Sequence, residues 1–202
     1  MIVRSINRLP TEQRKRQVLD AALECFLENG YAAATLQQIR LASGASHGSI
    51  YHHFGSKQAI ALELYEEGRR NYAEHIRVAL RRQETAEGAV RMLVAEHLHW
   101  TRTHRNWALF LTRIATAEVD DTMRERLIET DAEFAAEVHQ WFAPFMQKGM
   151  IVRLPPELLV LQLFGPCRAY ARLWLAGRAS QDIKSAVRLL AEGAWRALSA
   201  NN

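Results

Sequence analysis

An all-α fold is what this sequence predicts: an N-terminal three-helix head followed by a larger C-terminal helical body, about nine helices in total. Two observations lead there. Apolar residues recur at spacings of three and four along the chain, with almost no strict alternation, so the pattern is helical and strands are nearly absent. Capping residues and glycines punctuate that pattern closely up to residue 57 and sparsely afterwards, which separates short helices from long ones.

The first helix begins near Thr11, after Pro10, with Glu12 in the turn where the helix dipole favours an acid. Val18, Leu19, Ala22, Leu23 and Phe26 form its apolar stripe, and Asn29-Gly30 supplies a left-handed stop. Thr35 and Gln38 make a capping box for a second helix that runs through Ile39 to about Ala42 and ends at Gly44. Ser46 caps a third, from His47 to about His53, with Ile50 and Phe54 inward and His47, Ser49, Tyr51 and His52 outward. Gly55 ends it, and Ser56 caps a longer helix carrying Ala59, Leu62, Leu64, Tyr65, Tyr72, Ile76 and Leu80. Later breaks at His104-Arg105-Asn106, Val119-Asp120-Asp121, Gly149, Pro155-Pro156 and residues 177–180 place helices near 86–104, 106–117, 121–148, 156–177 and 181–198. Pro144 and the Gly165-Pro166 pair are expected to break or kink the helices that contain them. The domains are then a head with a basic arm (1–57), a bridging helix (58–82) and a body (83–202).

A hydrophobic content of 49% is ample for a core. No run reaches the ~18 uninterrupted apolar residues of a membrane span. The start, MIVRSINRLP, has no apolar h-region or cleavage site, so a cytoplasmic protein without membrane attachment is expected. Cys25 and Cys167 each stand alone among apolar neighbours, which fits reduced core thiols better than a disulfide, a metal framework or a nucleophile. The net charge of +4 is unevenly placed. Residues 1–57 hold seven basic groups (Arg4, Arg8, Arg14, Lys15, Arg16, Arg40, Lys57) against four acidic (Glu12, Asp20, Glu24, Glu28), a balance of +3, and the other 145 residues hold 19 against 18. The positive end is where a phosphate-neutralising surface is expected to lie.

That end contains the stretch TLQQIRLASGASHGSIYHHFGSK, residues 35–57, which has the two short helices and sharp turn of a DNA-reading helix-turn-helix. A seven-residue helix is roughly 10 Å long and fits end-on into a major groove ~12 Å wide. Gly48 has no side chain to hold the backbone off the duplex, and a glycine there otherwise costs helix stability. Gln37, His47, Ser49 and His52 are the candidates for base edges, Gln by bidentate bonding to adenine; each also fits a polar surface residue.

This stretch, with VLDAALECFLENGY at 18–31, resembles the head of the TetR (tetracycline-repressor-like) family of bacterial regulators. The likeness runs over about forty residues at fixed spacings, through Thr35, Ile39, Ala42, Gly44, Ser46, Gly48, Ile50, Tyr51, His53, Phe54, Ser56 and Lys57. Beyond the head it is one of helical layout. Three positions depart from the family pattern: Arg40 replaces a small residue, and Ser43 and Ala45 replace a common Ala and Val. A buried Arg40 would be costly, so its guanidinium is expected to reach solvent or phosphate. The resemblance implies phosphate contacts from Tyr51, His53, Lys57 and the Thr35 hydroxyl, with His53 equally suited to a local cap. Arg4, Arg8, Arg14, Lys15 and Arg16 add phosphate or minor-groove contacts or form a solvated tail.

One such head makes few contacts, so two are expected to act together on half-sites of double-stranded operator DNA about 34 Å apart or a multiple of that. Leu158, Leu159, Leu161, Leu163, Phe164, Leu173, Trp174 and Leu175 cover more of one late helix than a single core stripe needs, and Ile183, Val187, Leu190, Ala194 and Leu198 stripe the next. The family resemblance implies that these last two helices build a homodimer. It also implies a small-molecule effector pocket in the body, for which His97, Trp100, Trp107, Phe110, Phe142, Tyr170 and Trp174 are the candidates, though aromatics at helical spacing also make plain core. Arg168 and Arg172, one turn apart, fit an anionic ligand or cross-dimer ion pairs. His97 and His104 share a face but lack further ligands, so neither a metal nor a cofactor is expected. The functional expectation is a ligand-released repressor, with a constitutive or architectural DNA-binding protein as the alternative. An enzyme is disfavoured, because no nucleophile, base and orienter set is present.

Overall fold

The computed structural model describes residues 11–200, and among them it has nine helices. They are α1 (Thr11–Ala33), α2 (Leu36–Ser43), α3 (His47–His53), α4 (Lys57–Leu80), α5 (Ala86–Thr103), α6 (Arg105–Ile114), α7 (Asp121–Gln147), α8 (Pro156–Leu175) and α9 (Ile183–Leu198). The extended backbone among the described residues amounts to one isolated bridge, Ile151 with Ser199. Among the same residues no helix is long and apolar enough to cross a membrane.

Local chemistry explains where the helices start. Thr35, Ser46, Ser56, Thr85, Asp120 and Asp182 each accept the backbone N–H three residues ahead, which satisfies one orphan donor of α2, α3, α4, α5, α7 and α9 in turn. The expected capping box is complete, because Gln38 Oε1 also accepts from the Thr35 backbone at 2.9 Å. Gly30 leaves the helical region at φ 77°, and one further turn carries the chain to Ala33. Neither proline breaks its helix: α7 runs on through Pro144 and α8 through Pro166. Both prolines are exposed, as are Gln140 and Gln162 four residues before them, so water can take up the carbonyls that lose their N–H partner.

Two hydrophobic clusters result. The first joins Val18, Ala22 and Phe26 of α1 to Ile39, Ile50, Phe54, Ile60 and Leu64, and is closed by Phe110 and Ile114 of α6 and Met123 and Leu127 of α7. The core of the head therefore extends well past residue 57. The second is built from α4, α5, α7, α8 and α9, with Ala108 of α6, around Ile76, Leu93, Phe142 and Phe164. Cys25 and Cys167 are free thiols buried one in each cluster. Ion pairs stitch the seams: Lys15–Glu63 and Arg16–Glu67, both 2.6 Å, hold α1 to α4, and Arg91–Glu192 at 2.8 Å holds α5 to α9. Being partly solvated, each contributes about 1 kcal/mol or less.

A glycine lets α4 and α6 meet closely. A Cβ added at Gly68 would stand 2.8 Å from Trp107 Cε3 and 3.2 Å from Leu111 Cδ2. Overpacking of ~1–3 kcal/mol outweighs the ~1 kcal/mol that alanine gains in helix propensity. Gly68→Ala is therefore expected to lower the unfolding free energy in urea by up to about 2 kcal/mol; a more stable variant would show that the seam repacks freely.

Candidate DNA-reading face and body cavity

On the head, α2 and α3 form a shallow groove lined by Leu36, Gln37, Arg40, His47, Ile50 and Tyr51. Gln37, His47 and Tyr51 are exposed, and the His47 and Tyr51 rings lie one turn apart with centroids at 4.5 Å. Arg40 borders the same groove, where its guanidinium has the outlet expected of it. Gly48 is exposed, and an added Cβ would meet nothing within 4 Å, so packing within the chain does not call for glycine there. What an absent side chain does favour is close approach by an outside surface. His52 is exposed beside the half-buried His53, and the His53 ring lies between those of His52 and Phe54, at 5.1 and 6.2 Å.

Three residues sit differently from expectation. Ser49 turns inward: its Oγ is buried without a hydrogen-bond partner, so it is not presented to a base edge. The Thr35 hydroxyl already donates to Gln38 Oε1 at 3.1 Å, and a phosphate contact requires that bond to be exchanged. Lys57 is the main correction. Its Nζ donates to the carbonyls of Tyr31, Ala32 and Ala34 at 2.8, 3.1 and 2.9 Å and lies 4.7 Å from the Tyr31 ring centroid. With all three ammonium donors engaged, Lys57 ties the start of α4 to the end of α1 and has none left for phosphate. Desolvation lowers its pKa from the ordinary lysine value.

Of the basic arm, Arg4 and Arg8 lie outside the described residues. Lys15 and Arg16 are paired with Glu63 and with Asp20 and Glu67, so they act as clamps between α1 and α4 in place of the phosphate contacts expected of them. Arg14 is half-buried.

In the body, five helices line a half-open cavity of ≈ 220 Å³. Its walls come from Tyr65, Arg69 and Tyr72 of α4, His97, Trp100 and Thr101 of α5, Ala108, Leu111 and Thr112 of α6 with Ala115 and Thr116 beyond it, Asp131 of α7, and Arg168, Ala171, Arg172 and Leu175 of α8. Tyr72 Oη and His97 Nδ1 are 2.8 Å apart. Burial first, then the positive charges of Arg168 and Arg69, push the His97 pKa down to about 3, so the ring is neutral at physiological pH. Arg69 Nη2 lies 2.7 Å from Asp131 Oδ1, and Tyr65 Oη donates to that same oxygen at 2.9 Å. Arg69 also covers the rings of Tyr72 and Phe134, at 5.6 and 4.9 Å from their centroids.

Of the expected ligand residues, the cavity brings together His97 and Trp100, with Arg168 and Arg172. The others lie elsewhere for packing reasons. Trp107 fills the α4–α6 seam at Gly68, and Phe110 belongs to the head cluster, its ring 5.9 Å from Phe26. Phe142 is sealed in the body core. Tyr170 donates its hydroxyl to the Gln181 carbonyl at 2.8 Å, and Trp174 carries the Arg105 guanidinium at 5.2 Å. Arg69 and Asp131 were missed. One signal pointed to the first: it interrupts the apolar stripe Tyr65, Tyr72, Ile76 of α4. Among the described residues no cluster of three or more His, Cys, Asp or Glu is arranged to hold a metal.

With this geometry in view, the comparisons are consistent. A family model described as "Bacterial regulatory proteins, tetR family" matches residues 18–64. The HTH-type transcriptional repressor Rv1474c of Mycobacterium tuberculosis is 28% identical over 158 residues, covering 70% of this chain and 82% of that protein. The fatty acid metabolism regulator protein of Bacillus subtilis is 22% identical over 182 residues, covering 88% and 93%. Among solved structures, the transcriptional regulator FadR from Bacillus subtilis in complex with stearoyl-CoA matches with a TM-score of 0.77 at 20% identity, covering 90% of this chain and 98% of that one. A TetR-family regulator from Shewanella sp. PV-4 matches with a TM-score of 0.79 at 16% identity, covering 92% and 98%. At such identities the structural matches show the shared fold.

The Lys57 geometry makes a prediction. Lys57→Met removes three charge-assisted bonds and is expected to cost about 2 kcal/mol or more of stability, measured as a lower midpoint in thermal unfolding. Unchanged stability together with weakened DNA binding would return Lys57 to a phosphate role.

Proposed function

The chain belongs to the TetR family of bacterial regulatory proteins, and we propose that it is a homodimeric cytoplasmic repressor, released from its operator DNA when a small molecule enters the α4–α8 cavity. The observation that carries this reading is the pairing of two sites on one helix: α4 starts against the DNA-reading head and supplies Tyr65, Arg69 and Tyr72 to the cavity. A cavity with charged walls at that place favours an effector site over a DNA-binding protein without one. The stearoyl-CoA held by the Bacillus subtilis protein, which shares the fold, supports a ligand site within the body. The relatives are transcriptional regulators, which supports a function in gene control over an enzymatic one.

On the head, Gln37, Arg40, His47 and His52 are proposed to face base edges, Tyr51, His53 and Thr35 to set register on phosphates, and Gly48 to let α3 approach. On the body, Leu158, Leu161 and Leu173 of α8 and Leu189 of α9 are 46–58% exposed. The three on α8 fall within a 120° arc at ~100° per residue, a face wide enough to pair with its copy across a two-fold axis. Pairing through α8 and α9 supplies the two heads that operator binding needs.

Two outcomes follow. Binding to DNA selected from a random pool is expected to weaken steeply as salt rises, and Tyr51→Ala to weaken it for specific and unrelated sequences alike, both by mobility shift; a salt-independent affinity would refute the reading. The double substitution Leu161→Glu and Leu189→Glu is expected to yield monomers in light scattering with much reduced operator affinity. A dimer that persists would move the interface elsewhere.

A further inference from the structure

Resting on the reading of the cavity as an effector site, we propose that its ligand is a small anion, a carboxylate or a phosphate, which takes Arg69 away from Asp131. The argument is a count of donors. Arg69 and His97 are each more than nine-tenths buried, yet Arg69 Nε and Nη2 and His97 Nε2 have no hydrogen-bond partner. The Arg69 contact with Asp131 is thus close in distance but outside hydrogen-bonding direction. Tyr72 and the neutral His97 own two polar hydrogens and share one bond, so either tautomer leaves one hydrogen without an acceptor. The threonine hydroxyls of the wall do not meet this need: Thr101, Thr112 and Thr116 donate to the carbonyls of His97, Ala108 and Arg113 at 2.9, 2.7 and 3.3 Å, and none of them accepts from Arg69 Nε or Nη2 or from His97 Nε2.

Charge points the same way. Arg69, Arg168 and Arg172 contribute three positive charges to the walls against one negative charge from Asp131. Neither Arg168 nor Arg172 has an ion-pair partner among the described residues. Buried donors left without acceptors are costly, and an anion with two or three oxygens satisfies them together. Asp131, itself half exposed, occupies the place of that anion imperfectly. When the ligand takes the Arg69 guanidinium, α4 loses one of its ties to α7, with the Tyr65–Asp131 and Arg77–Glu137 contacts left to act as the pivot, and it keeps the Lys57 joint to α1, so the head moves with the helix.

The test uses the full-length dimer and four probes: straight-chain carboxylates from butanoate to dodecanoate, benzoate, their uncharged amides, and inorganic phosphate. Titration calorimetry and release of bound DNA are followed in wild type, Arg168→Met, Arg172→Met and Asp131→Asn. Expected are binding and DNA release by at least one anion and not by its amide, and a loss of affinity of about tenfold or more in Arg168→Met. Asp131→Asn should bind the anion several-fold more tightly, because Asn still accepts from Tyr65 but no longer competes as a charge. Carboxylate binding and phosphate binding each support the proposal and name the source. Equal binding of acid and amide, no binding by any anion, or weaker binding in Asp131→Asn overturns it. DNA binding without probe, measured on the same samples, separates this failure from failure of the repressor reading.

Discussion

Helices α4, α6 and α7 each contribute to both hydrophobic clusters, and of these α4 is the one that follows directly on the α2–α3 head, so most of the remaining structure is arranged around it. The first half of α4 places Ile60, Ala61, Leu64 and Tyr65 in the head cluster, and its second half places Tyr72, Ile76 and Leu80 in the body cluster. A 24-residue helix spans about 36 Å as one rigid rod. Any displacement imposed near Arg69 therefore reaches Ser56 without being absorbed by a loop. The seam with α6 lies at Gly68, where Trp107 is already in close contact. Movement there is resisted by steric contact, so the two halves move together.

The electrostatics divide along the same helix. On its head half, Glu63 and Glu67 take up Lys15 and Arg16, which removes two of the charges that composition alone would assign to DNA. What remains toward the α2–α3 groove is Arg40 among polar, aromatic and apolar side chains, so in the recognition proposed there hydrogen bonding and shape act beside the charge. On its body half the balance reverses, and positive groups without full partners collect around a half-open cavity.

Much of the fold was legible because its signals are local. Thr35, Ser46 and Ser56 cap the helices their sequence context predicts, and glycines at 30 and 44 stop them, since each acts within three or four residues of itself. The α2–α3 groove, proposed above to read DNA, has its two short helices set by the same local caps. What was not legible is which neighbour a side chain meets across the fold. Lys57 looked like a phosphate ligand until the end of α1 was placed beside it, and Phe110 looked like a pocket residue although α6 turns it onto Phe26. Asp131 is a surface acid in the pattern of α7, and only the approach of α4 brings it to Arg69 and Tyr65. The exposed prolines show a further limit: a residue that breaks a helix in isolation is accommodated where water reaches the freed carbonyl.

The joint at Lys57 bears on how such a chain can diverge. Its acceptors are main-chain carbonyls, which every residue possesses, so replacements at Ala32 and Ala34 that fit their surroundings leave those bonds available. The whole specificity of the joint rests with one donor side chain on one side of it. Packing at Ala34 and the Thr35 cap still limit the segment after α1, but the joint itself sets no side chain there, and its donor is inherited through a single codon.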